Sequence, residues 1–182
     1  RSVTNLVIGN NALAVDAAGC EALRLGYLHA MIAASAPEGS AEEVGRHLAE
    51  MALRMRSEAG PDCLISGGEP TVILVEESAR GKGGRNQQLA LAALAELGDC
   101  AGIALLSGGT DGEDGPTDAA GAVVAEEVVR VVHQQKLDPH DYLVRNDAYR
   151  LFQRAGGLFV TRPTHTNVCD LRIITVRRDR ES

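Results

Sequence analysis

Apolar residues recur along the chain in short runs separated by polar, glycine-rich breaks, and the spacing inside each run predicts alternating strands and helices. Val3–Gly9 reads as a strand, an Asn-Asn start opens an alanine-rich helix from about Ala12 to Leu25, and a strand over Tyr27–Ala34 follows at once. Ser40 and Glu43 have the spacing of a capping box, in which hydroxyl and carboxylate each satisfy an unpaired backbone N–H, and they lead an amphipathic helix to about Arg56. Gly60-Pro61 stops it. Strand, helix, strand, helix is the unit of a parallel sheet, yet two strands make no stable sheet alone. Residues 1–60 therefore read as the end of an amino-terminal α/β domain whose larger part is missing.

From Asp62 the rhythm changes. Strand Cys63–Ser66 runs into a Gly-Gly-Glu-Pro turn, a strand is expected over Thr71–Glu76, and a glycine-rich polar segment leads into a helix over Asn86–Leu97. A buried strand over Ile103–Leu106, helices over Glu126–Lys136 and Asn146–Ala155, and strands over Leu158–Thr161 and Leu171–Val176 complete the pattern, with a charged tail from Arg177. The fold class is α/β, a mixed or parallel sheet layered with helices over 61–182, preceded by a βαβα fragment of a Rossmann-like domain.

Composition narrows the function. Of 182 residues 45% are hydrophobic but only 3% aromatic, so Leu, Ile, Val and Ala must fill the core. The balance of 18 basic against 25 acidic side chains leaves no spread cationic face and few rings to stack on bases, which argues against nucleic acid. No apolar run reaches the roughly 18 residues of a membrane span, and the start has no secretory pattern, so a cytoplasmic protein is expected. The four cysteines are widely spaced, never in a Cys-x-x-Cys pair, and read as reduced, buried thiols.

One internal echo carries chemistry. Ser66-Gly67-Gly68-Glu69 and Ser107-Gly108-Gly109-Thr110-Asp111 each end an apolar strand in a Ser-Gly-Gly turn followed by an acid. Ligands of α/β sheets bind beyond strand carboxyl ends, where glycines let backbone N–H groups approach an anion; the plain alternative is two unrelated tight turns. Gly81-Lys82-Gly83-Gly84-Arg85-Asn86-Gln87 delivers an Arg and an Asn to a helix start, a place suited to phosphate or carboxylate, though it lacks the Walker A pattern and also fits a mobile surface loop. Asp111, Glu113, Asp114 and Asp118 lie among glycines with a spacing that fails the EF-hand pattern. They could hold a Mg2+ on nucleotide phosphates or accept a hydroxyl proton, whereas Glu113 and Asp118 fit turn or cap positions better. No Gly-x-Ser-x-Gly, His-Glu-x-x-His or paired histidine ligands occur, and the polar stretch from Pro163 to Asn167, with His165, is a candidate lining of the same cleft.

Ser66 to Val72, Gly81 to Gln88, Gly109 to Gly121 and Thr166 to Asp170 resemble, in order, the successive signatures of the MOFRL domain, the carboxy-terminal part of glycerate kinases of the glycerate 2-kinase type. The resemblance implies transfer of phosphate from ATP, with Mg2+, to D-glycerate, giving 2-phosphoglycerate, in a cleft between two domains. It implies Arg85 as a catalytic or substrate-carboxylate-binding group, with Asp111 as its catalytic companion. Glu69, Asp111 and Asp114 are the metal or hydroxyl candidates, the metal pair being Asp111 and Asp114. Ser66, Gly67, Gly68, Glu69, Gly84, Asn86, Gly108, Gly109, Thr110 and Asn167 become the expected substrate and phosphate contacts. The family's essential lysine lies in the absent amino-terminal part, so this chain alone is expected to be inactive, and Arg162 stands where the family usually has Gly before Pro-Thr. Two other readings stay open: a hydroxypyruvate reductase, which would need a nicotinamide site that no Gly-x-Gly-x-x-Gly supplies, and a non-catalytic organic-anion module. A homodimer is likewise left open.

Overall fold

Asn10 opens the first helix, its side chain accepting from the Leu13 N–H to cap α1 (Asn11–Arg24). The computed structural model describes residues 3–4, 8–33 and 38–178; the strand expected over Val3–Gly9 includes residues 5–7, which lie outside the described residues. β1 (His29–Ile32) precedes α2 (Ala41–Ser57), whose capping box forms as expected: Ser40 Oγ accepts from the Glu43 N–H and the Glu43 carboxylate accepts from the Ser40 N–H. Then come β2 (Cys63–Gly68), α3 (Arg85–Leu97), β3 (Ile103–Gly109) and β4 (Gly121–Val124). α4 (Glu126–Gln134), α5 (Pro139–Val144), α6 (Ala148–Ala155), β5 (Leu158–Phe159) and β6 (Asp170–Val176) complete the chain.

The strands form one six-stranded mixed sheet in the order β1-β2-β6-β3-β4-β5. β1 and β2 are parallel, and every other neighbouring pair is antiparallel. The expected break near residue 60 therefore falls between two hydrogen-bonded neighbours, and β1 is the edge strand of the same sheet. Alternation along β2 sorts the two faces. Leu64 joins the large core with α2, α3, α4 and α6, whereas Cys63 and Ile65 pack under α1 with Val15 and Ala22. Of the cysteines, Cys63 and Cys100 are buried, Cys169 is half-buried and Cys20 is exposed, so the expectation of buried thiols fails at Cys20.

Three local readings change. Thr71–Glu76 is not a strand of the sheet but an extended strap: Thr71 pairs with Gly39 and Ala41, and Asn146 receives the Val75 N–H and donates to the Ile73 carbonyl. Ile73 and Leu74 are exposed, whereas Val72 packs against the large core. β2 and β3 run through their glycines, so each Ser-Gly-Gly is a strand end, not a turn. β4 and α5 were not expected. β4 is almost wholly buried and so lacks alternation, and α5 is a six-residue helix signalled only by Asp138-Pro139 at its start.

Candidate functional site

β6 runs between β2 and β3, antiparallel to both, and this places the two halves of the sequence echo in the same register. Ser66 and Ser107 flank Arg172, Gly67 and Gly108 flank Leu171, and Gly68 and Gly109 flank Asp170. The carboxyl ends of β2 and β3 thus meet the first residue of β6. Asp170 is 0% exposed. A buried carboxylate needs a partner, and the first residue of α3 supplies it: Arg85 Nε and Nη2 donate to the two Asp170 oxygens at 2.7 and 2.9 Å. Arg85 Nη1 faces Glu69 Oε1 at 3.0 Å, and the Glu69 side chain is 58% exposed. The Asp170 pairing raises the Arg85 pKa further and keeps the guanidinium charged. Cys169 Sγ lies 3.6 Å from Glu69, and burial and that carboxylate push its thiol pKa up, away from a reactive thiolate.

A second cation, this one buried, lies one pleat further along the same face. Arg172, 2% exposed, is held end-on by Glu38 through Nη1 and Nη2 at 2.7 and 2.6 Å. A Cβ on Gly68 would run into that Glu38 carboxylate, one on Gly67 into the Asn11 side chain, and one on Gly109 into Asp111 and the Glu113 carbonyl. The glycines of the echo make room for the protein's own polar groups. Gly108 likewise packs against Phe159, and Ser66 Oγ is buried with no partner among the described residues.

The glycine segment before α3 is also built differently from expectation. The anion at this helix start is Asp114, whose oxygens accept from the Asn86 and Gln87 N–H groups at 3.0 and 2.8 Å. A Cβ on Gly84 would run into it. Asp114 therefore supplies from a distant loop the cap that Gly84 cannot, matching the partial positive charge of the helix end. Burial nevertheless pushes its carboxyl up to about 6 against those hydrogen bonds. Asn86 is buried, receiving the Ser107 hydroxyl at 2.6 Å, and braces α3 on β3. Asn86 and Asp114, expected as a phosphate contact and a metal ligand, here hold α3 in place, and Gly84 leaves room for the Asp114 carboxylate. Gly81 and Lys82 are pinned by the Arg145 carbonyl and the Asp147 carboxylate, which replaces the mobile-loop alternative.

Asp111 sits in a neighbouring loop. Its Oδ1 accepts from the Glu113 N–H and its Oδ2 from Asn167 Nδ2 at 3.2 Å, while Thr110 Oγ1 bridges to Val168 N–H and the Cys169 carbonyl. Thr110 and Asp111 tie the 167–169 segment to the end of β3, and His165 is exposed. Among the described residues no hydrogen bond or ion pair joins Asp111 to Arg85, and no three His, Cys, Asp or Glu side chains converge on a metal position. Both Asp114 oxygens accept N–H groups at the start of α3.

Of the expected contacts, the structure brings Arg85 and Glu69 together. The residues to which the sequence reading gave no role are Asp170, Arg172, Glu38 and Asn11. A signal existed: Asp170 and Arg172 share strand parity with Ile174 and Val176, placing charges at inward positions. Glu38 and Asn11 carry no such mark, because their partners are more than 130 residues away.

The chain is 41% identical over 171 residues to the D-glycerate 2-kinase of Thermotoga maritima, spanning 92% of this chain and 40% of that protein. It is 40% identical to an Agrobacterium vitis protein named as a hydroxypyruvate reductase, over 91% of this chain and 38% of the relative. The crystal structure of glycerate kinase from Thermotoga maritima superposes with a TM-score of 0.87 at 37% identity, covering 94% of this chain and 42% of that one. The chain thus spans about two fifths of the length of the curated relatives it matches. The model of the MOFRL family matches residues 62–170, which run from the residue before β2 to the carboxylate that holds Arg85. The chain belongs to the MOFRL family.

Proposed function

We propose that this chain is the MOFRL part of a glycerate kinase, which moves the γ-phosphoryl group of ATP to a hydroxyl of D-glycerate and gives 2-phosphoglycerate. The observation that carries the reading is Arg85, a fixed cation at the joined ends of β2, β3 and β6, whose remaining nitrogen meets only the exposed carboxylate of Glu69 among the described residues. A preset guanidinium suits a substrate carboxylate or the charge that spreads over a phosphoryl group in flight. Glu69, exposed beside it, is the acceptor we assign to the substrate hydroxyl proton. The Mg2+ that accompanies ATP is given no ligand in this chain. The remaining three fifths of the relatives' length completes the cleft, so turnover belongs to a polypeptide that carries that segment ahead of this chain.

A phosphorus NMR time course with D-glycerate and Mg-ATP tests the reading on the extended polypeptide and the 182-residue chain in parallel. A new phosphomonoester signal from the extended protein alone is expected, and its coupling identifies the hydroxyl. ATP left intact by both sinks the assignment. Arg85→Ala in the extended protein is expected to lower kcat/KM by about 10²–10³-fold, the usual loss for one preset donor. The name of the Agrobacterium vitis relative favours a second reading, reduction of hydroxypyruvate. The same protein oxidising NADH or NADPH with hydroxypyruvate would decide for it.

A further inference from the structure

We infer that Asp170 is the positioning residue of this site: it fixes the guanidinium of Arg85 so that Nη1 alone is presented to the substrate. The inference rests on the proposed role of Arg85.

Arg85 is the first residue of α3 and has a long, rotamer-rich side chain whose tip would otherwise wander. Asp170 takes its Nε and Nη2 side-on, the two-bond geometry that fixes both distance and plane. Asp170 is itself immobile. It is fully buried, it begins β6, and it is hydrogen-bonded into the sheet between Gly68 and Gly109. Its carbonyl is further fastened by Asn11 Nδ2 at 2.9 Å, from the start of α1. Neither cross-strand neighbour has a Cβ, so no side chain of β2 or β3 stands directly beside its carboxylate. By contrast Glu69, the other carboxylate on Arg85, is exposed and outside the sheet. The two acids thus have different duties: Asp170 sets the geometry from below, while Glu69 occupies the face a substrate anion must reach.

The test combines a signal that needs no turnover with a double-mutant cycle. In the 182-residue chain, the Arg85 Nε–H proton is expected to exchange slowly with solvent by NMR, and to exchange freely in Asp170→Asn or in Asp170→Glu; both variants are measured, so that one folded variant suffices. In the extended kinase, Asp170→Asn is expected to lower kcat by about 10²-fold, as a misplaced catalytic group does. The Arg85→Ala/Asp170→Asn protein should be no slower than Arg85→Ala alone, because the two residues act as a unit. Losses that multiply would show an independent, structural part for Asp170 and overturn the inference. An Nε–H that exchanges freely in the wild type, or equally slowly in a folded Asp170 variant, overturns it even where Arg85→Ala abolishes turnover. A fully active Arg85→Ala instead removes the catalytic reading of Arg85, and the positioning role with it, whatever the exchange data show.

Discussion

Asp114 sets a carboxylate in the interior to cap α3, and the chemistry of that choice is measurable. Burial pushes its carboxyl up to about 6, whereas in the unfolded chain it titrates near 4. The folded state therefore binds this proton more tightly than the unfolded one. Its contribution to stability is complete below about pH 4 and is lost as pH rises through about 6. The gap corresponds to on the order of 3 kcal/mol. Urea unfolding of the wild type and Asp114→Asn, at about pH 4 and about pH 7, should show the wild type losing ground to the variant by that order as pH rises; a pH-independent difference would refute the account. Arg162 is a second local conflict. Its φ of 68° puts a long side chain in the left-handed region, at the position where the family resemblance expects Gly. Arg162→Gly should raise stability by about 0.5–1 kcal/mol, the strain relieved less the added chain entropy, seen as a higher midpoint in urea. The sequence showed Arg162 as a departure and Asp114 as an acid among glycines. Whether Asp114 met a metal or a helix end was not legible, because that depends on which distant backbone it faces.

α2 and α3 are the helices packed most intimately, and the reason is a row of small residues. Ala41, Ala49 and Ala52 of α2 are fully buried against the alanine-rich α3, with Gly45 among them. A Cβ at Gly45 would run into the Leu89 carbonyl oxygen, and it would lie 3.0 Å from the Ala92 Cβ. Two effects compete in Gly45→Ala. Helix propensity favours the alanine by about 1 kcal/mol. Overpacking against a backbone atom, which cannot rotate away, costs about 1–3 kcal/mol. The clash should win, and Gly45→Ala should lower the thermal midpoint; an unchanged or raised midpoint would mean that the helices separate freely. The capping box of α2 was readable because its two residues lie three positions apart. The strap over Thr71–Glu76 misled because its apolar run from Val72 to Val75 is that of a strand, yet its partners are Asn146 and the segment before α2 rather than a neighbouring strand.

The whole sheet depends on its last strand. β2 and β3 run parallel to each other but are not neighbours; β6 lies between them and pairs with both over seven residues or fewer on each side. The α/β class and most elements follow from local spacing, whereas this insertion joins residues more than sixty apart and leaves no periodic trace. The same insertion assembles the site, since only β6 brings the Ser-Gly-Gly ends together and gives Arg85 its carboxylate. Long-range pairing of this kind pays its loop-closure entropy before any contact rewards it. A chain ending before Asp170 keeps its helices' local preferences but loses Ile174 and Val176 from the large core and the bonding partner on the inner edges of β2 and β3. No remaining strand can bridge that gap, because β1 and β4 already occupy the outer edges. The 1–169 chain should therefore show no cooperative thermal transition and no slowly exchanging amides in β2 or β3. Adding a synthetic peptide of residues 170–178 in trans should restore both, with protection appearing first at Ile65 and Leu105, beside the returning strand. Slow exchange at those amides in the truncated chain without the peptide would show that the two halves of the sheet are stable apart, and that β6 binds a sheet already formed.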